Sequence, residues 1–223
     1  MNQVNSEPVE ESQASQLPNL LAGQQLPPAP QQKRSKQKRD ALLQAALLLF
    51  AERGYEATTI EEIAHTAGVA VGGFYQHFAS KKQLLLVLMD RLLSEVASLS
   101  SQVALTDVSQ TYLVIEQVVR QGLLVDWAYV GAYRAWREAI ALDAELRTLH
   151  EQLERWTTLQ IEGILRPLLQ LPGVRQGVDI VTLAWIVTLL FWRLAEVPLQ
   201  EPDAVVTTIT TIIYHTIFMD EHV

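Results

Sequence analysis

Residues 58–84 read TTIEEIAHTAGVAVGGFYQHFASKKQL, and the fold turns on this stretch. Ile60, Ile63, Ala64 and Ala67 recur at i, i+3, i+4 and i+7, the apolar stripe of one helix. Thr58 with Glu61, or Thr59 with Glu62, supplies a capping box at its start, in either of two registers. Gly68 ends that helix at a position where a left-handed residue is wanted. A second short helix follows over 70–78, with Val69, Phe74 and Phe78 packed beneath it. Its outer face carries Val71, Gly72, Gly73, Tyr75, Gln76 and His77. Two short helices around a glycine-bearing turn form the helix-turn-helix pattern. Each glycine costs about 1 kcal/mol against alanine in a helix interior. Close approach of the backbone to the floor of a DNA major groove would justify that cost; a frayed turn is the plain alternative. Ser80-Lys81-Lys82-Gln83 has the form of a second capping box and starts a third helix. Two lysines in a first turn oppose the helix dipole. Their placement predicts a phosphate at this helix end, held by Lys81, Lys82 and the free amides.

Outward from this stretch the charge divides sharply, although the whole chain of 223 residues carries −8. Residues 1–32 hold three Glu and no basic residue, and are rich in Gln, Pro, Ser and Asn. Such a composition buries no core, so 1–32 is expected to be a disordered tail. Residues 33–82 carry five Lys and three Arg against five acids, a net of +3, and 83–223 carry nine Arg against seventeen acids, a net of −8. A basic head of residues 33–82 and an acidic body of residues 83–223 follow, and only the head should meet DNA. The run Lys33-Arg34-Ser35-Lys36-Gln37-Lys38-Arg39 is expected to act as an arm toward phosphates or a minor groove, with Lys33, Arg34, Lys36 and Lys38 as contacts; a solvated tail is the alternative. The head's first helix spans about 36–53 and stops at Gly54. A helix from Ser80, reaching roughly 30 Å at 1.5 Å per residue, links head to body.

Phe50-Ala51-Glu52-Arg53-Gly54-Tyr55, Thr58-Thr59, Ile63-Ala64, Ala67-Gly68-Val69, Gly73-Phe74-Tyr75, His77-Phe78 and Ser80-Lys81 together resemble the DNA-binding domain of the tetracycline-repressor (TetR) family of bacterial transcription regulators. The resemblance runs from about Arg39 to Leu88. Ala70 stands where that family commonly has a serine or threonine cap, Val71 where it is usually polar, and Gly72-Gly73 is poorer in side chains than usual. The resemblance implies an all-α fold: an N-terminal three-helix helix-turn-helix DNA-binding domain and a C-terminal helical ligand-binding and dimerisation domain. It implies a homodimer on a palindromic operator, a repressor, and an effector that weakens DNA binding. The expected contacts to DNA are Val71, Gly72, Gly73, Tyr75 and Gln76, with Thr59, Tyr75, His77, Lys81, Lys82 and the arm on phosphates.

The body reads as helices at about 108–123, 126–141, 143–169, 178–196 and 202–219, with Pro167 kinking or shortening the third. The last is β-branched, which favours a strand, but Val205, Ile209, Ile212, Ile213 and Ile217 keep a helical spacing. Trp185, Leu189 and Trp192, with Ile209, Ile212, Ile213 and Ile217, are the expected dimer face. All five tryptophans lie in the body, and apolar walls with a few polar groups are what ligand sites look like. Tyr112, Trp127, Tyr129, Tyr133, Arg134, Trp136, Arg137, Trp156 and Trp185 are therefore candidate ligand contacts, against the alternative of core packing. Asp126 and Glu138 share that segment. A hydrophobic or aromatic effector is expected, with one ionisable group.

Several classes are disfavoured. The chain has no cysteine, hence no disulfide or thiolate site, which fits the cytoplasm. No signal peptide is read, and the apolar run 180–192 is too short to span a bilayer. His150, Glu151 and Glu154 lack the second histidine of a zinc-protease helix, so no metal and no cofactor are expected, nor an enzyme. The rival readings are a nucleoid-type DNA binder without ligand and a helical protein-interaction module.

Overall fold

The computed structural model describes residues 17–25, 27, 32–100, 110–197 and 201–219. Nine α-helices and one 3-10 turn follow in order among them: α1 (Lys33–Arg53), α2 (Ile60–Thr66), α3 (Val71–Tyr75), α4 (Lys81–Ser100), α5 (Thr111–Ala128), α6 (Val130–Leu142), α7 (Ala144–Leu165), the 3-10 turn Arg166–Gln170, α8 (Ile180–Leu194) and α9 (Pro202–Ile217). The fold is all-α; a single antiparallel bridge joins Val174 to Phe218 and ties the loop before α8 to the end of α9. No described helix is long and apolar enough to cross a membrane.

Local chemistry sets the boundaries. Of the two capping registers open to α2, the one used is Thr59 with Glu62: Glu62 N–H donates to Thr59 Oγ1 at 3.2 Å, and Thr59 N–H donates to Glu62 Oε2 at 2.9 Å. Thr58 is buried instead, its hydroxyl donating to Gly54 O at 2.7 Å. Gly68 adopts φ 65°, and Val69 N–H closes back on Ala64 O at 2.9 Å, which turns the chain into α3. At α4 the expected box is only half formed. Gln83 N–H donates to Ser80 Oγ at 3.1 Å, but the Gln83 carboxamide oxygen accepts from Ala79 N–H at 2.7 Å. Pro167 does shorten α7, which passes into a 3-10 turn with proline in its first positions. The β-branched C-terminal segment is helix α9.

Two hydrophobic clusters hold the array together, and the first crosses the charge boundary while the second lies within the acidic body. The first runs from the head (Leu42, Phe50, Ile63, Phe74, Phe78) through Leu84–Leu93 of α4 into Tyr133, Trp136 and Ala139 of α6 and Leu146, Leu153 and Trp156 of α7. The second joins α5, the end of α7, α8 and α9 through Leu123, Leu165, Val187, Ile209 and Ile213. The 82/83 boundary expected from charge falls inside α4.

Two sequence expectations need correction. The basic run is the first turns of α1, not an extended arm; Lys33, Arg34, Lys36 and Lys38 project from a helix and are exposed. The 1–32 tail is not featureless throughout. Residues 19–23 form a turn around Asn19, Leu20 is 2% exposed within the first cluster, and Gln83 Nε2 donates to Gln25 O at 3.2 Å. Residues 1–16, 26 and 28–31 of that expectation lie outside the described residues. Replacing Leu20 by alanine should therefore lower unfolding free energy by at least about 2 kcal/mol in a denaturant titration. An undocked tail would leave stability within about 0.5 kcal/mol of the starting protein.

Candidate nucleic-acid interface and ligand cavity

The outward face of the helix-turn-helix is small and open. In α3, Val71 and Tyr75 are exposed at 37% and 51%, and Gly72 and Gln76 are exposed with them. A Cβ built on Gly72 meets open space, whereas one on Gly73 falls 2.6 Å from Val69 Cγ1. Gly73 thus serves the packing of the turn against α3, and Gly72 leaves bare backbone on the surface. The ring of Tyr75 sits edge-on to Phe74, centroids 5.5 Å apart, which directs the phenol outward. Arg39 of α1 lies over the Phe78 ring at 5.3 Å, so the basic turns of α1 flank the end of α3.

Three of the expected phosphate contacts are placed otherwise. His77 is buried, and its pKa is lowered by burial and then by the nearby charges of Arg39 and Lys38, so it sits as a neutral packing group. The helix ends at Tyr75, and the Gln76–His77 turn rotates the imidazole inward. Lys81 Nζ donates to Tyr55 O at 2.5 Å and Thr58 O at 2.8 Å, 4.3 Å from the centre of the Tyr55 ring. Burial lowers its pKa, against the raising effect of Glu56, Glu138 and Glu62. Lys82 donates to Asp143 at 2.6 Å and Glu145 at 2.8 Å. Burial would lower the Lys82 pKa, but those two carboxylates outweigh it and hold the ammonium above its usual range. Both lysines thus clamp protein: Lys81 the 54–58 loop, Lys82 the start of α7, where Asp143 also caps the helix. Thr59 is exposed, with its hydroxyl engaged in the α2 cap.

The head is fixed to the body along α1 and α6. Arg134 donates to Ala51 O, and the Glu138 carboxylate accepts Tyr55 N–H at 2.7 Å and Glu56 N–H at 3.2 Å. A Cβ on Gly131 would land on the Leu47 carbonyl, with Leu47 C at 2.8 Å, so only glycine lets the two helices approach this closely. Arg134 is thereby a head contact and no ligand contact, and Arg137 pairs with Glu196 at 2.6 Å.

A largely apolar cavity of about 120 Å³ lies between α4, α5, α7 and α8 and opens partly to the surface among the described residues. Its walls come from both hydrophobic clusters: Leu92, Leu93 and Tyr133 from the first, Ile115, Val119 and Val187 from the second. Of the expected ligand contacts only Tyr133 lines it. Asp126, 3% exposed, also lines it, accepting the Tyr133 hydroxyl at 2.7 Å on Oδ1. Burial pushes the Asp126 carboxyl up to about 7, the hydrogen bond from Tyr133 opposing it. The sequence signal for this residue is a lone carboxylate inside the apolar run Leu123-Leu124-Val125-Asp126-Trp127-Ala128. A second cavity of about 220 Å³ between α6, α7 and α8 brings Tyr133, Trp136 and Arg137 together with His150 and Trp192.

The other expected ligand residues are dispersed. Tyr112 hydrogen-bonds Thr211 at 3.1 Å, Tyr129 donates to Glu95 at 2.6 Å, Trp127 and Trp156 pack in the two cores, and Trp185 is exposed at 54%. The expected dimer face divides in the same way. Trp185, Leu189 and Ile212 are exposed, joined by Val181 and Ile186, but Ile209, Ile213 and Ile217 are core. Trp192 is half-buried, its ring edge-on to Tyr133 and His150.

Comparison with known proteins places the head in a family. The model for bacterial regulatory proteins of the tetR family matches residues 42–88. The HTH-type transcriptional repressor KstR2 of Mycolicibacterium smegmatis is 48% identical over 59 residues, 26% of this chain and 28% of the repressor. The chain thus matches little more than a quarter of such curated relatives' length. Among solved structures, NalD, the secondary repressor of the MexAB-OprM multidrug efflux pump in Pseudomonas aeruginosa, aligns over 85% of this chain and all of its own, with TM-score 0.60 at 20% identity. The complex of SmeT with triclosan aligns over 82% and 93%, with TM-score 0.61 at 19% identity. Residues 42–88 thus match the tetR family of bacterial regulatory proteins, and the helical array shares the all-α fold of these solved structures.

Proposed function

We propose that this protein is a ligand-responsive transcriptional repressor that binds a palindromic operator as a homodimer and is released by a hydrophobic or aromatic small molecule. The observation that carries the reading is the bare outer face of α3: Val71, Gly72, Tyr75 and Gln76 open to solvent beside the exposed cations of α1. Val71 would contact a thymine methyl, and Gly72 would let the backbone approach the bases. Lys33, Arg34, Lys36 and Lys38 supply the phosphate contacts that give affinity and salt dependence. The repressor names of KstR2 and NalD support the direction of regulation, and the triclosan complex of SmeT supports a small molecule in this fold.

Dimerisation is assigned to the exposed apolar side of α8, Val181, Trp185, Ile186 and Leu189, together with Ile212 of α9. A two-fold axis there would set two α3 helices one helical turn of DNA apart. Ligand in the apolar cavity acts through Tyr133, whose helix α6 grips the head by Gly131, Arg134 and Glu138. A coupling of about 1–3 kcal/mol is enough for a useful switch, and operator DNA must weaken the ligand by the same factor.

Selection from random DNA tests this reading directly; recovery of an inverted repeat is expected, and recovery of no motif would leave a non-specific DNA binder. On the selected site, Tyr75→Ala should weaken binding by about fivefold or more, as loss of about 1–3 kcal/mol implies. Lys82→Ala should leave the salt slope of DNA binding unchanged, since its partners are Asp143 and Glu145, whereas removing Lys36 and Lys38 should flatten it. Light scattering should give twice the 25.0 kDa chain mass, and Trp185→Glu should give the monomer.

A further inference from the structure

We infer that the cavity between α4, α5, α7 and α8 is built for an apolar amine, its ammonium group received by the Asp126 carboxylate and its hydrocarbon part by the surrounding, mostly apolar walls. This names the ligand class for the ligand-responsive reading above and rests on it. The walls are mostly hydrocarbon: Leu92, Val96, Val119, Ile161 and Phe191 meet around a space of about 120 Å³, with Thr157 and Gln160 the neutral polar side chains among them. A dry apolar cavity of about 150 Å³ accommodates benzene, so the resting space is slightly smaller than one that holds a single ring. Two ionisable side chains line it, Asp126 and Tyr133, and both lie at one end through their 2.7 Å hydrogen bond. The helices packed around them present no other acidic or basic lining side chain.

The sign of the missing ligand charge follows. A carboxylate ligand needs a cation, yet Arg134 is spent on Ala51 O and Arg137 on Glu196, both away from this space. It would also meet Asp126 as a like charge. An isolated carboxyl in hydrocarbon is costly to ionise, and burial accordingly holds this one near 7. Burial and the neighbouring Asp126 keep the Tyr133 phenol protonated, so it remains a donor to the carboxylate. One phenolic donor leaves most of the carboxylate's acceptor capacity for a ligand N–H. An ammonium supplies both charge and donors, and such charge-assisted bonds are about twice as strong as neutral ones. An alcohol supplies only a neutral hydrogen bond.

The test uses the full-length protein and three probes of one shape: 4-phenylbutylamine, 4-phenylbutanol and 4-phenylbutyrate. Binding is followed by calorimetry and by intrinsic tryptophan fluorescence, to which Trp192 in the cavity wall contributes. The amine should bind about tenfold more tightly than the alcohol, a difference of about 1.4 kcal/mol, with the carboxylate weakest. Amine affinity should fall by about tenfold between about pH 8 and about pH 6, because the carboxyl takes up its proton as the pH drops through its own pKa while the amine stays charged. Asp126→Asn should remove both the amine preference and its pH dependence while retaining the alcohol. Should that variant not fold, Tyr133→Phe serves: the lost hydrogen bond should move the pH midpoint upward with the amine still preferred. Equal binding of amine and alcohol, an amine preference that survives in Asp126→Asn, or a pH midpoint unmoved in Tyr133→Phe, overturns the amine assignment and leaves the ligand reading standing. Failure of all three probes to bind means the space is closed core, and both readings fall together.

Discussion

The seam between α1 and α6 is the constraint on which the rest depends. Two helix backbones come together where Gly131 faces Leu47, and each polar group exposed by that contact finds a partner across it. The carbonyl of Ala51, near the end of α1 and short of a helical donor, accepts from Arg134. The amides of Tyr55 and Glu56, which leave α1 after Gly54, donate to Glu138. Charged hydrogen bonds of this kind contribute about 1.5–3 kcal/mol each, and removing one partner leaves the other unsatisfied. One element of the body, α6, thereby completes the C-terminus of a helix in the head. The head is not a module tied on by α4 alone.

The lysines that open α4 extend the same principle. Lys81 binds the carbonyls of Tyr55 and Thr58, and Lys82 binds the two carboxylates at the start of α7. A half-buried surface pair such as Lys82 with Asp143 contributes about 1 kcal/mol, but it fixes orientation. Together with the Glu138 contacts these links hold the 54–58 loop from two sides. That loop leads directly into α2, so the position of the helix-turn-helix is set by contacts to α4 and α6.

Much of this architecture was legible in the sequence, because helix signals are local. The stripe of α2, its cap, Gly68 and the apolar spacing of α9 each lie within a few residues of one another. What failed was reasoning that needs distant partners. The Ser80-Lys81-Lys82-Gln83 pattern located a helix start correctly, yet the partners of Lys82 stand 61 and 63 residues away, and nothing local separates a phosphate from Asp143. His77 was misplaced because a helix continued through residue 78 would turn it outward, while α3 stops at Tyr75. In α9 the isoleucine stripe exists, but periodicity does not say which neighbour covers it. Ile209, Ile213 and Ile217 face α5 and its cluster, and Ile212 alone of the four is outside. Leu20 was hidden by averaging, since a polar composition over 32 residues conceals one apolar turn.

The position of the apolar cavity follows from how the apolar groups divide. The first cluster contains the head, α4, α6 and the first half of α7; the second contains α5, the end of α7, and the α8 and α9 helices that carry the exposed apolar face. Packed cores transmit displacement without being compressed, so each cluster moves more readily as a body than within itself. The cavity lies where the two bodies meet, walled by Leu92, Leu93 and Tyr133 on one side and by Ile115, Val119 and Val187 on the other. A molecule larger than the resting space would have to part them there. In the proposed dimer the second body is held by its twin across α8, so the displacement would pass to the first, and the helix-turn-helix, continuous with that cluster, would be carried along with it.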